Sequence, residues 1–312
     1  MKFYFAPMEG ITGYLFRRAH HELFPSVDKY FTPFLVPHTS KVFNSREKND
    51  ILPEHNRGLF LVPQILTNQA KDFVRVAKEL REYGYEEVNL NLGCPSKTVV
   101  TKKKGSGFLA FPEDIDRFLD EVFQTLDMKI SVKTRIGKED PKEFETLLNI
   151  YNQYPLEELM IHPRLQTDYY KNKPDWNVFG ESLSNSKNPV CYNGDLFSKE
   201  DYVNFVEQFP TCHKVMFGRG LLKNPGLVET IRDENCLTKE KLKRFHDRLV
   251  DDYEALKIGD RNVLFKMKEL WFYMIELFED HKKLEKKIKK AQSLSAYREA
   301  VDRLFYERDM IV

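Results

Sequence analysis

Cysteine is scarce in this chain of 312 residues, with four in all: Cys94, Cys191, Cys212 and Cys236. No two of them form a Cys-x-x-Cys pair, so the usual zinc and iron–sulfur spacings are absent and no metal is expected. Scattered single thiols fit a reducing compartment better than a disulfide framework. No window approaches the length of a transmembrane helix, and the stretch Met1-Lys2-Phe3-Tyr4-Phe5-Ala6-Pro7 lacks the apolar core of a signal peptide. These absences lead us to expect a cytoplasmic protein with no membrane partner. A strong charge is missing too: 49 Lys and Arg against 48 Asp and Glu leave a net +1. No global field attracts polyanions, and any nucleic-acid surface has to be a local patch. Finally, no Gly-x-Gly-x-x-Gly follows the first strand-like run, which disfavours a doubly wound open sheet.

What is present describes a globular protein, with 41% apolar and 31% charged residues and a mean hydropathy of −0.54. Short β-rich runs at 3–6, 29–32, 60–65, 88–92, 129–133, 159–162, 190–192 and 214–217 alternate with helical stretches. Among those stretches are 69–83, 112–126, which opens on Pro112-Glu113-Asp114, and 198–208, where Ser198 is a natural N-cap. Eight runs in regular βα alternation predict a (β/α)8 TIM barrel of about 235 residues. From Thr238 the strand signals stop. Leu242, Phe245, Leu249, Tyr253 and Leu256 recur at helical spacing, as do Met267, Leu270, Met274 and Phe278. A lysine-rich stretch, 281–290, and a helix around 296–306 follow. The expected organisation is a barrel domain over 1–235 and a small helical domain over 236–312 with one basic flank.

The stretch Glu87-Val88-Asn89-Leu90-Asn91-Leu92-Gly93-Cys94-Pro95-Ser96-Lys97 stands out within this pattern. Its alternation is that of a strand, Gly93 permits a sharp exit and Pro95 stops the strand. The result is one thiol at a strand mouth beside polar amides. In a barrel of this type the active site is built from the loops after the strands. Those ends supply Pro7-Met8-Glu9-Gly10, Gln64, Asn91 with Cys94, Lys133 with Arg135, His162-Pro163-Arg164, Asn193-Gly194-Asp195 and Gly218-Arg219-Gly220. The last two loops suit a phosphate, since glycines allow close backbone approach and Arg219 adds a guanidinium. Asp195 would repel a phosphate that its carboxylate faced, so backbone amides are the expected contact there. A phosphate-anchored cofactor would meet Gln64, Lys133 and His162 around its ring.

Taken in order, Ala6-Pro7-Met8-Glu9-Gly10, Asn91-Leu92-Gly93-Cys94-Pro95, Lys102-Lys103-Lys104-Gly105-Ser106-Gly107, Val132-Lys133-Thr134-Arg135, Asn193-Gly194-Asp195 and Gly218-Arg219-Gly220 resemble the tRNA-dihydrouridine synthase family. The resemblance covers about residues 3–225. It implies an FMN-dependent oxidoreductase that uses NADPH, with NADH as the alternative, to reduce uridines of the tRNA D-loop. It further implies FMN held by Pro7, Met8, Glu9, Gln64, Lys133, His162, Asn193, Gly194, Asp195, Gly218 and Arg219. Cys94 would be the proton donor, with Asn91, Lys97, Arg135 and Arg164 on the substrate side. The barrel domain would bind FMN and the helical domain tRNA, in a monomer. One departure is His162-Pro163-Arg164, where the family has His-Gly-Arg; proline removes a backbone N–H.

Saturating the uracil C5–C6 bond needs a hydride at C6 and a proton at C5 from the other side of the ring. An unperturbed thiol, with a pKa of ~8.5, is protonated at neutral pH and suits a general acid. The base has to be extruded from the folded RNA to reach a barrel mouth. Lys102–Lys104 and Lys282–Lys290 are the expected phosphate contacts. Two competing readings are a small-molecule flavin reductase of dihydroorotate-dehydrogenase type and a tRNA-binding protein without catalysis.

Overall fold

Nine short strands carry the architecture of the computed structural model, which describes residues 1–39, 41–234 and 237–311. They are β1 (Lys2–Phe5), β2 (Lys29–Phe31), β3 (Leu61–Val62), β4 (Gln64–Ile65), β5 (Glu87–Leu92), β6 (Lys129–Arg135), β7 (Leu159–His162), β8 (Val190–Asn193) and β9 (Lys214–Phe217). Every pairing is parallel, in the order β3-β2-β1-β9-β8-β7-β6-β5-β4. The two ends of that order are one run of chain. β3 and β4 are separated only by Pro63, which has no N–H to give the ladder. Leu61–Val62 pair with β2 and Gln64–Ile65 with β5, while the Pro63 carbonyl accepts the Asn89 N–H at 2.9 Å. The barrel is thus nearly closed. The expected run 60–65 is the third barrel strand, broken once by its proline, and the TIM-barrel-like fold stands.

The strands read as buried on both faces, as parallel barrel strands do. All six residues of β5 are buried. Val88, Leu90 and Leu92, at 0% exposure, alternate with Glu87, Asn89 and Asn91, which face the barrel interior. Burying one such aliphatic side chain is worth about 1.5–3 kcal/mol. The interior itself is filled by Tyr4, Ala6, Phe31, Val62, Met160, Cys191 and Met216.

Helices follow the local chemistry. Pro112–Thr125 begins with Pro at its first turn and Glu113 and Asp114 beside the positive end of its dipole. Asp175 caps Trp176–Asn185 by accepting from the Asn177 and Val178 N–H groups at 3.0 and 3.1 Å. Ser198 Oγ accepts from the Asp201 N–H at 3.0 Å, and the following helix is Lys199–Gln208.

The contacts divide the chain into two compact units. The first comprises Met1–Pro7, Asp28–Asp195 and Phe205–Phe217, and contains the barrel strands. The second comprises Met8–Val27, Leu196–Asn204 and Gly218–Val312. In the second unit Lys239–Ala255, Asp260–Met274, Lys282–Lys290 and Leu294–Glu307 are the long C-terminal helices, and Thr238 Oγ1 caps the first of them. The helical C-terminal region expected from the sequence is present. Its core includes Phe16 and Phe24, both edge-to-face with Phe245 at 5.5 and 5.6 Å. The expected boundary between residues 235 and 236, and Cys236 itself, lie outside the described residues. Among the described residues no helix is long and apolar enough to cross a membrane. Nor do any three or more His, Cys, Asp or Glu among them group so as to hold a metal ion.

Candidate active site

The turn after β5 is built by one side chain. Asn91 Oδ1 accepts from the N–H groups of Gly93 and Cys94, both at 3.0 Å, which ends the strand and fixes the cysteine's backbone. Cys94 is half-buried, and none of the described cysteines is in a disulfide. Its carbonyl in turn accepts from the Ser106 N–H at 3.1 Å and the Ser106 hydroxyl at 2.9 Å. Gly105 makes this contact possible. It has φ +56°, and a Cβ there would lie 2.8 Å from the Cys94 carbonyl oxygen. The Lys102–Gly107 stretch therefore folds back onto the cysteine, which gives Gly105 a physical reason.

Two buried arginines, each 1% exposed, hold the neighbouring strand ends. Arg135 donates from Nε to the Gly93 carbonyl at 3.0 Å, and from its two terminal nitrogens to the carbonyls of Leu165 and Tyr169 at 2.6 and 2.7 Å. It ties the cysteine turn to the loop after β7. Burial pushes its pKa down, against the opposing pull of Tyr170, and the charge of Arg164 adds to the lowering. Arg164 grips Asp195 with both terminal nitrogens and donates from Nε to the Asn172 carbonyl at 2.6 Å. That bidentate pair neutralises the carboxylate that would otherwise repel an anion at the loop after β8. Arg164 also meets His162 Nε2 at 2.9 Å. A guanidinium only donates, so Nε2 accepts and the ring proton sits on Nδ1.

Lys133 faces these groups without an anionic partner among the described residues. It lies across the ladder from Asn91, and its ammonium has no hydrogen-bond or ion-pair partner among the described residues. Burial first, then the charge of Arg135, pushes its pKa down to about 8, against the opposing pull of the Cys191 and Cys94 thiols. An unpaired, partly desolvated ammonium beside a strand mouth suits an electron-rich or anionic ligand edge. Asn193 donates to the Met216 carbonyl at 2.8 Å. A Cβ on Gly194 would fall 2.0 Å from the Tyr192 hydroxyl oxygen, so the chain there presents bare backbone. Both features fit a cradle for a cofactor.

The first unit thus brings together Gln64, Asn91, Cys94, Lys133, Arg135, His162, Arg164, Asn193, Gly194 and Asp195, with Pro7 at the end of its first segment. Lys97 is exposed at the start of the short helix Lys97–Val100. Met8, Glu9, Gly218 and Arg219 belong to the second unit. There the Met8 carbonyl accepts from Ile11 and Thr12, both at 3.0 Å, Glu9 is exposed, and Arg219 lies over the Phe197 ring at 5.5 Å. Gly218 precedes the short helix Arg219–Lys223.

Two site residues escaped the sequence reading. Asn89 bonds to Gln64 inside the barrel at 2.7 Å; the Asn-x-Asn spacing, which puts both amides on one strand face, was the available signal. Tyr170, 46% exposed, sits over the Arg135 guanidinium at 5.4 Å and lies 6.1 Å from the His162 ring. Tyr169 before it holds φ +51°, an uncommon conformation for a bulky residue. No sequence pattern marked either tyrosine.

Comparison with known proteins follows the same line. A family model described as dihydrouridine synthase matches residues 4–307. The tRNA-dihydrouridine synthase B of Pasteurella multocida is 25% identical over 77% of this chain and 71% of its own length. A probable tRNA-dihydrouridine synthase of Staphylococcus aureus is 26% identical over 82% and 79%. The tRNA-dihydrouridine(16) synthase of Shewanella oneidensis is 28% identical over 74% and 75%. Among solved structures, morphinone reductase in complex with tetrahydroNAD superposes with a TM-score of 0.53 at 13% identity, covering 78% of this chain and 90% of that one. That last likeness is one of fold.

Proposed function

The chain belongs to the dihydrouridine synthase family, and we propose that it reduces the C5–C6 bond of D-loop uridine in tRNA, using FMN and NADPH. The observation that carries this reading is the pairing of a cysteine pinned by its backbone with an unpartnered lysine, Lys133, on the adjoining strand. When bound, FMN would supply hydride chemistry for the uracil C6. Every other task falls to side chains. Lys133 offers positive charge to the electron-rich edge of the flavin ring. Gln64 and His162 offer hydrogen bonds around it, while Pro7, Asn193, Gly194 and Asp195 complete the cradle in the first unit. The roles of Met8, Glu9, Gly218 and Arg219 toward FMN are proposed from the resemblance alone.

Cys94 gives the C5 proton. Asn91, Lys97, Arg135 and Arg164 lie on the substrate side. For Asn91, Arg135 and Arg164 the hydrogen bonds already described make holding the surrounding loops the first task. Residues 1–235 would carry the catalytic function and 236–312 the grip on tRNA. The protein would act as a cytoplasmic monomer without a metal.

Purification provides the first check, since a protein lacking flavin absorbance overturns the cofactor assignment. Dihydrouridine should vanish from one or more D-loop positions in a deletion strain and return with this gene. Cys94→Ala should lower tRNA reduction by about 100-fold or more, the scale of a lost general acid, with FMN bound and NADPH oxidation intact. Full tRNA activity in that variant removes Cys94 from the mechanism.

A further inference from the structure

Below the cysteine turn, an unbroken run of side-chain hydrogen bonds crosses the barrel interior and ends on a carboxylate. Asn91 Nδ2 donates to Gln64 Oε1 at 2.6 Å, and Gln64 Nε2 to Asn89 Oδ1 at 2.7 Å. Asn89 Nδ2 donates to Ser131 Oγ at 2.9 Å, and Ser131 Oγ to Glu87 Oε1 at 2.7 Å. Glu87 Oε2 takes Lys29 Nζ at 2.9 Å, and Lys29 also reaches Glu158 at 3.1 Å. Gln64, Asn89 and Ser131 are at most 1% exposed.

The sense of every bond is forced from one end. Backbone N–H groups of Gly93 and Cys94 can only donate, so Asn91 must point Oδ1 at them and Nδ2 at Gln64. Gln64 must then answer with oxygen and show nitrogen to Asn89, and Asn89 must do the same toward Ser131. The serine proton is left for Glu87, an acceptor-only group. A flipped amide anywhere in this run would set two oxygens or two N–H groups face to face in a dry interior, where an unmade bond is costly.

We propose that Glu87, Ser131 and Asn89 are positioning residues: they lock the orientation of the Gln64 and Asn91 carboxamides, and through Asn91 the pose of Cys94. Their relevance to catalysis rests on Cys94 being the proton donor; their effect on its pose does not. Glu87 and Asn91 are four residues apart on one strand, about 13 Å, and do not touch. They are nonetheless coupled by this run, which a mutant cycle can expose.

Asn91→Asp keeps an acceptor for both backbone N–H groups but turns a second oxygen toward Gln64. Gln64 and Asn89 must then flip, Ser131 must donate to Asn89, and Glu87 loses its hydroxyl donor. Glu87→Gln supplies an N–H to Ser131 and should restore a satisfied run of reversed sense. The reading is the rate of Cys94 alkylation by iodoacetamide on the purified full chain without tRNA, with the buried Cys191 and Cys212 as controls for unfolding.

Asn91→Asp should change that rate by about fivefold, well inside the range for residues sharing a network, and Glu87→Gln alone, which must turn an N–H toward either Lys29 Nζ or the donating Ser131 hydroxyl, by about two- to fivefold. The double variant should return to within about twofold of the parent. In a Ser131→Ala background, which cuts the run, the rescue should disappear. Rescue in both backgrounds would show charge acting through space, and no rescue in either would show no coupling; each overturns the proposal. Should Asn91→Asp fail to fold, Ser131→Ala alone should still speed Cys94 alkylation about threefold, and an unchanged rate overturns the proposal. Because no tRNA or turnover is involved, this result stands apart from the fate of Cys94→Ala in catalysis.

Discussion

Lys133 has the clearest dependence on its surroundings of any single residue in the site. Its folded pKa, about 8, lies below the usual lysine value because burial and Arg135 disfavour the charged form. Between about pH 8 and pH 10.4 the unfolded chain therefore holds more protons than the folded one, and stability of the flavin-free protein should rise with pH through that window. Ligand binding has the opposite sign. An electron-rich ring edge favours the ammonium, so binding must take up a proton once the free site has lost it. FMN affinity should be flat below pH 8 and fall above it by up to about tenfold per pH unit, with Lys133→Met weaker throughout and nearly pH-independent. Titration of the apoprotein at pH 7, 8, 9 and 9.5 reads this directly. A pH-independent Kd in the parent protein would remove Lys133 from the flavin contact.

At the scale of elements, the loops after the strands are held by groups that leave little tolerance. Gly194→Ala places a methyl 2.0 Å from the Tyr192 hydroxyl, and Tyr192 is itself held by the Trp176 ring N–H at 3.0 Å. Overpacking of this kind costs about 1–3 kcal/mol, so the variant should lower the urea midpoint and weaken FMN retention together. A parent-like midpoint would mean that the loop after β8 yields easily. The eight strand runs were legible because period-two alternation and their turn residues are local signals. Pro63 split the third run, as its missing N–H requires. The glycines at 105 and 107 could be noticed but not explained, since the Cys94 carbonyl that Gly105 approaches and the Val100 backbone that Gly107 approaches are brought there by folding. Asn89, Ser131 and Glu87 were illegible as a set for the same reason. They meet only when β6 pairs with β5, and Gln64 joins them only when the closing strand pairs beside Asn89. The resemblance placed Arg135 and Arg164 on the substrate side. Nothing local announced that backbone carbonyls and Asp195 would occupy their donors.

At the scale of the whole molecule, a net charge of +1 forces any polyanion contact onto a local surface. The helix Lys282–Lys290 provides one. Leu284 and Ile288 are its buried side, while Lys282, Lys283, Lys286, Lys287, Lys289 and Lys290 are all exposed. Of these, Lys289 is paired with Glu285; no hydrogen bond or ion pair engages Lys282, Lys283, Lys286 or Lys287 among the described residues. Such a face gains little for folding, because exposed charges of one sign repel along a helix. It is suited to phosphates, whose condensed counterions are released on contact. Replacing Lys282, Lys283, Lys286 and Lys287 by Gln should leave the fold and the flavin untouched, since the buried side of the helix is unchanged. The same variant should weaken tRNA binding and reduce the slope of log Kd against log salt by up to about 3. Measurement at four salt concentrations separates lost phosphate contacts from general damage, which would shift Kd without changing the slope. An unchanged Kd and slope would assign the lysine face to solvent.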